Sequence, residues 1–507
     1  MIKNQIGSEY LNRLQGVYHE ISKRGILVNS KRLAKASVDI NNAISKYTGI
    51  ISNAWGCHVY VGAANDDGTD TSVNLNASSG KRTPLLKLQA LGYNIPKVAA
   101  RNEETGEYES KESLAELALQ KMLGSNQFNI LGGDPVIKAM LAIRELVTLK
   151  NRYINANLYS KECGNYYLSN YNVAGTTSGR RSSRKHTFGF GNNAQNFPKH
   201  GELARIYRRC LVARPGYILL MVDQMQAEDW PVSALAGNTA ALEDLENGVD
   251  RHKKLAMAIF RLSADHYTEK EWKDSIERYL GKKTRHANNY GMKGNTMSDS
   301  LAKEGIAMTP AQCQSILDIV NQVDPSVKGV FHHGIEQQLY ATRTLRTPFG
   351  RERQFFGLRG GDSSGNQKIF REAYSYIPQS TVGDNTGFAV YELETGYEDS
   401  YIIQEGHDSI IQEIPANADS IWEYLQRTIR AFDRQVAFAN GISFTIPVEG
   451  EIGYDFYHTE TFKSSKTKTK KLTDLSYNDI QAALHKLNEH RDRELHEEAT
   501  EQLGAEL

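Results

Sequence analysis

Cysteine is scarce: Cys57, Cys163, Cys210 and Cys313 are the only four in 507 residues, and they lie far apart. No two stand at a metal-type spacing, which argues against a zinc site and favours a reducing compartment. Long apolar runs are missing, and Met1-Ile2-Lys3-Asn4 opens no signal stretch. A cytosolic protein with no membrane partner is therefore expected. Net charge is absent too, with 60 Lys plus Arg against 60 Asp plus Glu. A nucleic-acid binder of this composition must segregate its charge locally. What remains, 24% charged and 40% hydrophobic residues, describes a soluble globular chain long enough for several subdomains.

The stretch Gly216–Trp230 organises the rest. Six apolar residues, Tyr217 to Val222, follow Pro215-Gly216 and are too few for a helix core, so they predict a buried strand. Asp223 ends that strand and Glu228 follows shortly after. Two readings of Asp223 stand: a cap for the next helix, or an acid held rigidly at a strand tip. A second stretch, Tyr401–Pro415, sets Ile402-Ile403 and Ile410-Ile411 around Glu405-Gly406-His407-Asp408, which predicts a β-hairpin with Asp408 at its turn. A turn Asp is commonplace. A strand-end Asp beside a hairpin-tip Asp is also one way to hold two divalent cations for phosphoryl transfer.

Elsewhere, residues 8–50 read as helical with a break at Arg24-Gly25, and 57–80 as a polar loop or insertion. Leu85–Leu91 predicts a short helix, and Pro135 opens a longer one ending near Lys150 and Arg152. Arg180, Arg181, Arg184, Lys185 and His186 form a basic cluster, able to grip phosphates or to be an ordinary surface loop. Lys282, His286 and Tyr290 recur at helical spacing, so one face carries a cation, an imidazole and a ring. Leu345–Phe356 predicts a hairpin about Gly350, Arg371–Asp384 a helix, Ile421–Phe438 a helix and Phe444–Val448 a strand.

Asp223 with Glu228, the stretch Lys282–Gly291 (KKTRHANNYG) and His407-Asp408 resemble, in order and internal spacing, motifs A, B and C of family A DNA polymerases. Ser178–Ser183 (SGRRSS) and Asn193–Pro198 (NAQNFP) match further pieces of that family. The resemblance runs from about residue 8 to about residue 458. It implies an α+β, right-hand polymerase fold: an antiparallel β palm with helical thumb and helical fingers. The expected boundaries are a thumb-like region over 1–165, palm over 166–238, fingers over 239–330, palm again over 331–458, and a basic linker with a C-terminal helical extension over 459–507. It implies template-directed addition of dNTPs to a primer 3′ end with two Mg²⁺ ions on Asp223 and Asp408, and His286 as a catalytic acid. Lys282, Tyr290, Glu228 and Arg285 would bind the dNTP, with Glu228 crowding the sugar 2′ position. Arg180, Gln195, Asn196, Arg371, Gln379 and His407 would contact primer–template DNA. In the resembling enzymes a Tyr at the Tyr290 position goes with ready use of dideoxynucleotides. The thumb-like sequence starts almost at Met1, so a polymerase module without a 3′–5′ exonuclease domain is expected.

Some positions depart from the family. Lys282 stands where Arg is usual, His286 where Lys is usual, and Ser409 where a DNA polymerase usually has Glu. Arg285 and Lys283 are the neighbours expected to supply charge in place of that Lys. The tail reads as a solvated basic linker with Lys463, Lys466, Lys468, Lys470 and Lys471, then a helix from Ser476 with Ile480, Leu484 and Leu487 on one face. That face would dock a partner, a separate exonuclease or a replisome protein, or remain a plain tail. The rivals are a single-subunit RNA polymerase, towards which Ser409 leans and from which Glu228 leans away, and a non-catalytic binder of primed DNA.

Overall fold

The computed structural model describes residues 6–62, 71–78, 81–101, 108–124, 133–198, 201–359, 365–466 and 470–505. Two compact units divide the chain: Met1–Leu33, Ala156–Met292 and Asp318–Leu507 make one, and Ala34–Asn155 with Lys293–Leu317 the other. The expected subdomain boundaries cut across this division. The stretch 1–165 is shared between the units, and 293–317, expected among the fingers, belongs with 34–155.

The smaller unit packs helices around Ile51, Trp55, Leu88, Leu119, Met140 and Ile143. Its helix Pro135–Leu149 starts where Asp134 accepts hydrogen bonds from the amides of Val136 (2.7 Å) and Ile137, the usual use of a side-chain acceptor at a helix start. Of the expected insertion, the ends form a parallel pair, Val59–Tyr60 with Val73–Asn74; residues 63–70 and 79–80 lie outside the described residues.

In the larger unit, helix α1 (Ser8–Arg24) stops at Gly25, whose φ of 69° suits glycine. Helix α2 covers Ile276–Asn289, α3 Gln367–Gly396, α4 Ala418–Phe432 and α5 Tyr477–Ala505. The central sheet has five strands: β1 (Tyr217–Gln224), β2 (Ile402–Glu405), β3 (Ser409–Pro415), β4 (Val448–Gly453) and β5 (Thr459–Thr461). Their order is β2-β3-β1-β4-β5, with every neighbour antiparallel. The apolar run in β1 therefore sits mid-sheet, with Ile218, Leu219 and Leu220 wholly buried. One face of the sheet packs, through Leu220, Val222, Ile410 and Ile452, into a core shared with Phe388 and Val390 of α3 and Leu425 of α4. The architecture is α+β.

Three expectations need correction here. The helix foreseen over Ile421–Phe438 ends at Phe432, and Val436–Ala437 pairs instead with Ser443–Phe444 as a short hairpin. The strand foreseen over Phe444–Val448 is consequently split. The tail is not a loose linker. Thr459–Thr461 is an edge strand of the central sheet, Phe462 and Leu472 are buried, and Ile480, Ala483 and Leu487 of α5 join the main core. Lys468 lies outside the described residues. The apolar face expected to dock a partner is thus occupied by the chain itself. Asp479 closes the start of α5 by accepting from the Ser476 amide (2.8 Å) and hydroxyl (2.7 Å). Further along, Glu494 accepts from Arg209 at 2.9 Å and lies 3.5 Å from Arg32 and 3.3 Å from His458. His458, His490 and Glu494 have metal-ligand chemistry, but both guanidinium groups already neutralise the carboxylate, so the cluster works as an ion-pair clasp. Among the described residues no helix is long and apolar enough to cross a membrane.

If α5 belongs to the core, Ile480→Ala will cost about 2–5 kcal/mol of stability. Leu495→Ala, at a position 54% exposed, will change it by less than about 0.5 kcal/mol. Urea unfolding of both variants measures the difference, and equal, small effects would remove α5 from the core.

Candidate active site

Side chains alternate along β1, so Leu220, Val222 and Gln224 face the core while Asp223 is left exposed on the other face. Register sets its surroundings. Asp223 stands opposite Ser409 on β3 and opposite Glu449 on β4, and cross-strand partners share a face. The amide of Gln224 donates to the carbonyl of Asp408 at 3.0 Å, so the hairpin-tip acid adjoins the strand-end acid. Capping is not the role of Asp223: the next helix, Asp229–Leu235, begins at Glu228. An all-oxygen donor set of exposed or half-exposed carboxylates on adjoining strands fits a hard divalent cation, and Asp223 and Asp408 are the residues that would hold it.

The tip is braced from below. Buried Gln224 donates to Thr386 Oγ1 (2.8 Å) and accepts from Asn385 (2.8 Å), both on α3. Thr386 in turn donates to the carbonyl of His407 (2.9 Å). His407 has φ 75°, in the left-handed region, and its amide donates to Glu405 at 2.9 Å. Such a conformation costs about 1–3 kcal/mol and persists only where neighbours impose it. Gln195 reaches the same place, with Nε2 3.5 Å from His407 Nδ1 and 3.4 Å from Glu405.

A second group of residues gathers on Glu228. Arg180 pairs with one carboxylate oxygen, the Tyr290 hydroxyl donates to the other, and His286 Nδ1 lies 3.9 Å away. Burial, then the Glu228 carboxylate, pushes the Tyr290 phenol well above its ordinary pKa, so it stays a donor. Lys282 and His286 are one turn apart on α2, and Tyr290 follows at its end. Burial lowers the His286 pKa against the opposing pull of Glu228 and Asp229, leaving the imidazole neutral at pH 7. Arg371 is exposed on α3 beside Gly291, where an added Cβ would lie 3.9 Å from Arg371 Cγ. Gln379 is half-buried on the same helix, and Asn196 is exposed.

Arg285, expected to bind the dNTP, and Arg181, of the basic cluster, are both buried. Arg285 is 8% exposed, its Nε 3.5 Å from Asp229 and its Nη2 donating to the Arg251 carbonyl. Gly281, Thr284, Arg285 and Asn288 form the buried stripe of α2, a spacing visible in the sequence but masked by the charge of Arg285. Arg181, in the expected basic cluster, is 1% exposed and donates to the Gly383 carbonyl and to Glu405. Arg184 and Lys185 are exposed. Glu449 and Gln224 were not singled out beforehand, since only register reveals what stands opposite Asp223.

The model of DNA polymerase family A matches residues 73–458. The chain is similar to a thermostable DNA polymerase I of Thermus filiformis, 26% identical over 70% of this chain and 38% of that protein. It is also similar to a DNA polymerase of Mycobacterium phage D29, 26% identical over 41% of this chain and 31% of that one. The chain spans about a third of the length of the relatives it matches. Among solved structures, the POL domain of Pol1 from M. smegmatis, in complex with DNA primer–template and dNTP, superposes with a TM-score of 0.67. Identity to it is 18%, with 88% of this chain and 70% of that chain covered, a likeness of fold.

The His252 ring lies tilted against that of His286, ring centroids 6.1 Å apart. Burial pushes the His252 pKa down to about 4. The unfolded chain takes up this proton near pH 6.5, so stability is complete above that pH and falls as pH drops towards 4, by at most about 1.4 kcal/mol per unit. His252→Gln should flatten this slope in urea unfolding measured between pH 7 and 4; an unchanged slope would assign the loss to other groups.

Proposed function

The chain belongs to DNA polymerase family A, and from that premise we propose that it extends a primer 3′ end on a DNA template with dNTPs. The observation that carries the reading is the pair Asp223 and Asp408, joined through the Gln224–Asp408 backbone hydrogen bond at the rim of the central sheet. Two Mg²⁺ ions, when bound, supply a lowered pKa for the primer 3′-hydroxyl and charge neutralisation at the transferring phosphoryl group. In this reading the central sheet is the palm, and the chain's own residues position the reactants. His407, with Gln195 against its ring, supports the primer terminus. Arg371, Gln379 and Asn196 line the template side, and Arg180 the minor groove next to the new pair. Lys282 and His286 meet the phosphates of the incoming nucleotide, His286 as a neutral hydrogen-bonding group in the free enzyme. Tyr290 lies against the sugar, and Glu228, fixed by Arg180 and Tyr290, closes the 2′ position. That fixed carboxylate favours deoxynucleotides over the RNA-making alternative. Primer–template DNA and dNTPs are the partners implied.

Asp223→Asn and Asp408→Asn each remove a charged oxygen ligand while the phosphate-gripping residues remain. Primer extension should fall by at least about a hundredfold, with primer–template affinity, read by fluorescence anisotropy, within about twofold of wild type. Near-normal extension by either variant would sink the two-metal assignment.

Tyr290→Phe deletes a hydroxyl that replaces the polar contact otherwise made by the substrate 3′-hydroxyl. One such contact is worth about 0.5–1.5 kcal/mol, and an unpaired polar group costs about 1–3. The ratio of kcat/KM for dTTP over ddTTP should therefore rise about ten- to a hundredfold, at ~1.4 kcal/mol per decade. An unchanged ratio would show that Tyr290 does not face the sugar.

A further inference from the structure

The C-terminal extension carries cations to the face that bears Asp223. Edge strand β5 pairs with β4, and buried Phe462 and Leu472 pin the segment that follows. Between those two anchors Lys470 turns inward, its Nζ 3.4 Å from Glu449 Oε2. Glu449 is the register partner of Asp223. Lys470, Glu449, Asp223 and Ser409 line one cavity of about 400 Å³. Lys273, at the end of the helix Glu269–Asp274, lies within electrostatic reach of Lys470 and Glu449. Burial lowers the pKa of its ammonium, and the nearby ammonium groups of Lys470 and Lys463 lower it further, with Glu449 opposing. Lys470 thus pairs with Glu449 while Lys273 and Lys463 add positive charge nearby, an excess that an anion would offset.

The opposite side of the site is short of charge. His286 is neutral near pH 7 and Arg285 is buried against Asp229, which leaves Lys282 exposed on α2. We propose that Lys470, with Lys273 and Lys463, forms an anion site beside Asp223 that takes the linked phosphates of the incoming nucleotide and of the pyrophosphate product. The extension thereby adds positive charge beside Asp223, on a site to which α2 offers the exposed Lys282. The assignment rests on the polymerase reading for its substrate. The same chemistry would also suit a backbone phosphate of the primer.

Lys470→Gln, Lys470→Arg and Lys273→Gln in the full chain separate these sources. Steady-state dTTP incorporation gives KM and the inhibition constant of inorganic pyrophosphate, anisotropy gives the primer–template Kd, and thermal unfolding checks the fold. Lys470→Gln should raise KM and the pyrophosphate constant by about tenfold, the worth of one charge-assisted contact. Primer–template Kd and Tm should not move, Lys470→Arg should stay near wild type, and Lys273→Gln should shift in the same direction as Lys470→Gln. A weakened Kd with unchanged KM would give the site to the DNA backbone and overturn the assignment, as would no change in either. Calorimetric titration of inorganic pyrophosphate into wild type and Lys470→Gln is independent of turnover. If wild type fails to extend primers yet binds pyrophosphate through Lys470, the polymerase reading falls and the anion site stands; equal binding by the two proteins overturns the site.

Discussion

The register of β1 is the constraint on which the rest depends. A slip of one residue against β3 and β4 would turn Asp223 into the core and Val222 out to solvent. Apolar burial alone opposes that slip only weakly here, because Leu219 and Leu220 are both wholly buried and either parity offers the core an apolar side chain. Gln224 settles the matter. Its amide has partners on α3 at Thr386 and Asn385 in the observed register only, and each buried polar group left unpaired would cost about 1–3 kcal/mol. A buried glutamine next to an exposed aspartate is thus a positional device: the first is satisfied only where the second is presented.

The interior of the larger unit holds matched charges as well as neutral polar groups. Many of its carboxylates are matched internally. Arg24 pairs with Glu394, Arg181 with Glu405, Arg251 with Asp229 and Arg351 with Asp384, and in each pair the acid is nearly inaccessible. Each such pair withdraws one charge of either sign from the field outside, while Lys282, Arg184, Lys185 and Arg371 stay exposed. The buried pairs also have a geometric task. Glu405 holds the His407 amide, and Arg181 holds both Glu405 and the Gly383 carbonyl of α3, so the strained turn before Asp408 is braced by ions, where water would let it relax.

Legibility followed the strength of the local signal. The run Tyr217–Val222, the Ile402–Ile411 hairpin and the spacing of Lys282, His286 and Tyr290 were each readable, because periodicity and turn chemistry act over a few residues. The fates of Arg181 and Arg285 were not, since an arginine carries the same letter whether it grips a ligand or a buried carboxylate. Their partners, Glu405 and Asp229, lie far along the chain from Arg181 and Arg285. The tail was misread for a related reason. Phe462 and Leu472 are single apolar residues in a string of Lys, Ser and Thr, too sparse for any periodic pattern, yet each is almost wholly buried. Composition averages over the segment, whereas the fold uses those two positions.

That tail has a physical reason to be there. Without β5 and α5, strand β4 would be a bare edge of the central sheet, with unpaired backbone groups one strand away from Asp223. The extension closes that edge with Thr459–Thr461 and covers the apolar side with Ile480, Ala483 and Leu487. Closing an edge also fixes a direction. Once β5 is paired and Phe462 and Leu472 are buried, Lys470 comes to the rim of the sheet beside Glu449, which shares a face with Asp223. A segment that covers an edge is then held where Lys470 meets the face bearing Asp223, so structural cover and charge come from one piece of chain. The two roles are separable by residue: Phe462 and Leu472 determine whether the segment is in place, and Lys470 determines what it presents there.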